Sequence, residues 1–134
     1  MNELESWHAQ VIEEIIDPER PIFDPHHHLW EHTASTYLAD DFLRDAIPHG
    51  VHKSVFVECG SMYRATGPEA LRPVGETEFV EAIAQQVEGG SVGCADNAGI
   101  VGHADLMLGD AVEAVFEAIR RTRRSSWPLL SPWL

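Results

Sequence analysis

Apolar residues recur along this chain at two periods, and the switches between them mark its elements. Leu4, Trp7, Val11, Ile12 and Ile15 lie at helical spacing and predict an amphipathic helix over residues 3–16, ended by Asp17-Pro18. Pro21 keeps the next residues extended, and Ile22-Phe23 enters a short strand. A polar loop, Glu31-His32-Thr33-Ala34-Ser35, leads to a helix over residues 38–47 that Pro48-His49-Gly50 stops. Lys53 to Cys59 is rich in β-branched and aromatic residues and reads as a strand. A long loop from Gly60 to Gly75 follows, beyond the usual connection length and therefore expected to be functional or mobile. Thr77 is the expected cap of a helix with Phe79, Val80, Ile83 and Val87 as its apolar stripe, closed by Gly89-Gly90. Ile100 to Leu106 reads as a third strand. Gly109-Asp110 opens a last helix with Val112, Val115, Phe116 and Ile119 on one side.

The order is one helix and then strand–helix three times. Such alternation predicts an α/β fold with a parallel sheet whose functional loops sit at the C-terminal ends of the strands. The strands start near residues 22, 52 and 100, a spacing somewhat wider than the ~31 residues per unit of a ~250-residue eight-fold barrel. The ordered domain is expected to span residues 1–119. Residues 120–134 break its pattern: four arginines, then two prolines and two tryptophans in an uncharged run, expected to be unstructured and consistent with a shifted reading frame.

Charge sharpens that boundary. Five basic and 22 acidic residues before position 120 give −17, and four arginines after it give +4, for a net −13. This acidity excludes nucleic acid as the expected partner, because phosphate binding needs clustered cations. The longest apolar runs fall well short of the roughly 20 residues that cross a bilayer, and the acidic start lacks the features of a signal peptide. A cytoplasmic location is the expectation. Cys59 and Cys94 are then reduced thiols, read as small buried hydrophobes.

The chemistry concentrates in Ile22-Phe23-Asp24-Pro25-His26-His27-His28-Leu29-Trp30. An extended backbone sends alternate side chains to one face, so Asp24, His26 and His28 share a side while Pro25 and His27 face away. Two imidazoles with a carboxylate behind them make half of a divalent-metal site: His26 and His28 as ligands, Asp24 as the group that orients them. A solvated histidine turn is the competing reading. Glu58 at the end of the second strand is either a pocket carboxylate or a solvated one. His103 and Asp105 alternate onto one face of the third strand, where His103 is either a pocket residue or a hydrogen-bonded structural histidine. Arg64 and Arg72 could grip a substrate carboxylate, though isolated loop arginines are usually solvated. His32 and Trp30 read as loop and packing residues.

These residues carry a resemblance. The histidine segment, Val55 to Tyr63, Gly75-Glu76-Thr77-Glu78-Phe79 and Ile100 to Leu106 together resemble the N-terminal part of amidohydrolase-related (amidohydrolase 2) metal-dependent hydrolases, over roughly residues 4–119. Within that group the chain is most similar to the branch with sugar-lactone hydrolases. The resemblance implies a partial (β/α)8 TIM barrel, an N-terminal fragment made of the first three strand–helix units after an N-terminal helix. It implies a small-molecule substrate as partner, and Zn, or else Mn, held by His26 and His28 and activating water against a lactone, ester or amide; a related decarboxylation is the variant chemistry. The family's other ligands come from later strands, so no catalytic residue is assignable here, and the fragment is expected to be inactive alone and to self-associate through open sheet edges. A small α/β binding or interaction module without catalysis is the alternative from a different class.

Overall fold

The computed structural model describes residues 2–88 and 96–122. Its main sheet has three strands, β1 (Ile22–His27), β4 (Val51–Val57) and β5 (Asp96–Val101), in the order β1-β4-β5 with both pairings parallel. A separate antiparallel hairpin, β2 (Trp30–His32) with β3 (Ser35–Tyr37), follows β1. Helices α2 (Ala39–Ala46), α3 (Val74–Glu88) and α4 (Glu113–Thr122) succeed β1, β4 and β5 in turn, so the chain is mixed α/β. A short helix, α1 (Glu3–His8), precedes them. Among the described residues no helix is long and apolar enough to cross a membrane.

Alternation in β4 sets the layers. Ser54 and Phe56 are buried and Val55 and Val57 only half-buried. Phe56, with none of its surface exposed, packs with Leu29, Phe42, Ala46, Val51 and Val80, so one face of the sheet rests on α2 and α3. The register pairs His27 with Phe56. His27 therefore faces the helices too, stacking on Phe42 with ring centroids 4.3 Å apart. Alternation then turns His26 and His28 to the opposite face. Among the described residues β1 and β5 each pair on one side only. Pro25, which has no N–H to give a ladder, sits in one of these outer strands.

Several elements differ from the sequence expectation, each for a physical reason. The first helix spans Glu3–His8 rather than residues 3–16, and Leu4, Trp7, Val11, Ile12, Ile15 and Ile16 are exposed, Ile16 completely. A short helix gains most of its stability from packing its apolar stripe, and no described element covers this one. What holds it is a capping box: the Glu5 N–H donates to Asn2 Oδ1 at 2.8 Å, and the Asn2 N–H donates to Glu5 Oε2 at 2.7 Å. The polar loop at 31–35 is the turn and flanks of the β2–β3 hairpin, with Trp30 stacked on Tyr37 and its Nε1–H donating to Ser35 Oγ at 2.9 Å. Helix α3 begins at Val74, so Thr77 is a buried residue of its first turns and not its cap. The third strand ends at Val101, and His103 and Asp105 lie beyond it. A 3-10 stretch, Leu106–Val112, precedes α4 and contains the expected opening at Gly109-Asp110. Arg120 and Arg121 form the last turn of α4, where cations suit the helix's negative end. Cys94, the Gly89-Gly90 stop and residues 123–134 lie outside the described residues.

Candidate metal centre

The site is built where β1 ends. His26 and His28 project from the helix-free face with their Nε2 atoms 3.1 Å apart and their rings edge-to-face, centroids 4.8 Å apart. The Nδ1 of His28 lies 2.7 Å from the carbonyl oxygen of Val57 on the neighbouring strand. A carbonyl only accepts, so Nδ1 of His28 carries the hydrogen of this bond, and a ring with that hydrogen alone has its lone pair at Nε2. His26 Nε2 then donates its hydrogen to that lone pair. For His28 this is the tautomer a metal-binding histidine needs, with Nδ1 anchored to a backbone carbonyl; His26 would have to carry its hydrogen on Nδ1 instead before both Nε2 atoms could bind one ion.

The spacing fits a shared cation. With metal–nitrogen bonds of about 2.0–2.1 Å, nitrogens 3.1 Å apart subtend roughly 95–102° at the ion, close to a tetrahedral angle. Asp24 is near but acts on the main chain: its Oδ1 accepts the His26 backbone N–H at 3.1 Å, tightening the turn rather than orienting a ring. Among the described residues no group of three or more His, Cys, Asp or Glu side chains is arranged to hold a metal.

Glu58 and His103 are brought together although 45 positions apart. Glu58 directly follows β4, its N–H donates to the Val101 carbonyl at 2.9 Å, and its Oε1 lies 3.3 Å from His103 Nδ1. Both side chains stay partly exposed at the same strand ends as the histidine pair. A carboxylate oxygen accepts, so His103 Nδ1 carries the hydrogen of this contact. Arg64 is not free for a substrate, since its guanidinium pairs with Glu78 through two nitrogens. Arg72 uses its backbone carbonyl to accept the Arg64 N–H at 2.9 Å, and its side chain is exposed. His32 is exposed in β2.

The residue that sequence reasoning passed over is Glu76. It is 1% exposed, and its Oε1 accepts the backbone N–H groups of Cys59 at 3.0 Å and Ser61 at 2.8 Å. It thus clamps the strand-end loop to the first turn of α3. Gly75 permits the approach: a Cβ there would lie 2.6 Å from the Arg64 nitrogen and 2.7 Å from the Met62 oxygen, both backbone atoms. Desolvation, followed by the Glu76 carboxylate, raises the Cys59 thiol above its ordinary pKa, and a protonated thiol is neither a nucleophile nor a metal ligand. No sequence signal pointed to this role: with Thr77 read as the cap, Glu76 fell outside the helix, and glutamates are seldom fully buried.

No family model matches this chain, and comparison with the curated proteins and with the solved structures returns no match either.

Proposed function

We propose that this chain contributes the opening metal-binding strand of an amidohydrolase-type metal-dependent hydrolase, a partial (β/α)8 barrel acting on a lactone, ester or amide. The observation that carries the reading is the convergence of His26 and His28 at Nε2, with the His28 ring fixed by the Val57 carbonyl. The parallel strand–helix succession supports it, because such folds gather their chemistry at the C-terminal ends of the strands. When bound, zinc or manganese would supply Lewis acidity toward the substrate carbonyl and a water of lowered pKa.

The chain's own groups do the rest. His26 and His28 would hold the ion, and the Val57 carbonyl would keep the His28 ring in place. His103, oriented by Glu58, would present its ring at the same end of the sheet. With two protein donors the chain binds zinc weakly by itself and turns over no substrate, since a catalytic zinc ordinarily has three protein ligands.

Zinc competition against a chromophoric chelator, with lactone hydrolysis followed in parallel, tests this. We expect weak zinc uptake, abolished in both His26→Ala and His28→Ala, and no hydrolysis. Absence of zinc uptake by the wild-type chain would refute the reading. A sharp thermal transition that ignores zinc would then favour the rival, a small α/β binding module without catalysis.

A further inference from the structure

We propose that two copies of this chain share one divalent cation, each supplying His26 and His28, so that four imidazoles complete a tetrahedral shell. The inference rests on the reading of His26 and His28 as ligands and goes beyond it in saying where the missing donors come from. A nitrogen pair 3.1 Å apart spans one edge of a tetrahedral site and leaves the opposite edge to be filled. No third donor joins the pair among the described residues. The position suits a bridge. Both rings stand at the end of an outer strand, on the face away from the helices, with His26 exposed and His28 half-exposed. A two-fold axis through the ion relates one pair to the other, which is the isologous geometry usual for dimers. Imidazole-only donors suit zinc, copper, nickel and cobalt, and exclude magnesium and calcium, which take oxygen.

Charge makes the association conditional. Each copy carries −13, so two copies repel in the absence of a cation. The bridging ion adds positive charge where the two acidic bodies meet, and its bonds to nitrogen are insensitive to screening. Added salt weakens only the repulsion. Association therefore requires the metal and strengthens with ionic strength, the reverse of an interface held by salt bridges.

The test is a titration of the full 134-residue chain with cobalt(II) and zinc, with mass followed by sedimentation and cobalt coordination by its visible absorption. The expected result is an endpoint at one ion per two chains, a shift from monomer to dimer, the intense absorption of four-coordinate cobalt, and reversal by EDTA. His26→Ala and His28→Ala should each abolish both the dimer and the spectrum; their thermal transitions, compared with wild type, show that the variants remain folded. One ion per chain with no change in mass would overturn the shared site while leaving the histidine pair as ligands. No metal uptake at all would overturn both readings. A dimer that persists in EDTA, or one lost in His103→Ala, would also overturn it, since the contact or the fourth donor would then lie elsewhere.

Discussion

His27 and its two neighbours are the same residue at the end of β1, yet the two faces of the sheet give them opposite fates. On the helix-covered face His27 is 8% exposed, stacked on Phe42 and edge-on to Phe56. On the open face His26 and His28 lie against each other, and His28 against a backbone carbonyl. Desolvation lowers the pKa of His27, with the Asp24 carboxylate and a hydrogen bond to the Val55 backbone opposing it. A ring held in that packing has no freedom to coordinate anything. Ligand capacity here comes from where the strand's alternation aims a histidine, and the residue type alone does not confer it.

The largest effect should separate the faces by packing. Phe56→Ala empties a fully buried position and should cost about 3–5 kcal/mol. Phe23→Ala, at a side chain 52% exposed in the same sheet, should cost less than about half of that. Urea denaturation of both variants measures the gap, and equal losses would mean that the sheet is covered on both sides. Next, Glu76→Ala should cost about 1–3 kcal/mol, because it strands the Cys59 and Ser61 N–H groups. Glu76→Gln, which keeps an acceptor oxygen, should lose less.

A third effect is pH-dependent. The unfolded imidazole titrates near 6.5, while the folded His27 titrates lower. As pH falls below 6.5 the unfolded state binds the proton first, so stability falls until the folded pKa is reached and is level below it. Urea midpoints between pH 8 and 5 should show this loss, with a slope of at most about 1.4 kcal/mol per pH unit from one group. His27→Leu should flatten that component; an unchanged slope would place its origin in another residue. The smallest effect is at the open face. His26→Ala should leave stability within about 0.5 kcal/mol of wild type, as surface substitutions do. A larger loss would mean that His26 also carries fold stability.

Much of this was legible in the sequence, and the gaps have physical causes. The alternation of β-branched strands with apolar-striped helices sufficed for a parallel α/β sheet, and period-two spacing placed His26 and His28 opposite His27. The first helix was overextended because Val11, Ile12 and Ile15 have helical spacing but, among the described residues, no partner to pack against. Periodicity describes a face without saying whether anything covers it. The β2–β3 hairpin was hidden because its polar residues read as loop, and its stability comes from the Trp30–Tyr37 stack across the strands. Thr77 has a capping side chain, yet the α3 start is set by the Gly75 contact and the Glu76 clamp, both long-range. The pairing of Glu58 with His103 is likewise a tertiary fact, invisible at a separation of 45 positions.

Ring-nitrogen NMR of the histidines, recorded with and without zinc, reaches the central claim most directly. The account predicts a neutral His28 protonated at Nδ1, and zinc-induced shifts at the Nε2 atoms of His26 and His28 with His27 unmoved. A His28 protonated at Nε2, or zinc shifts confined to other histidines, would contradict it.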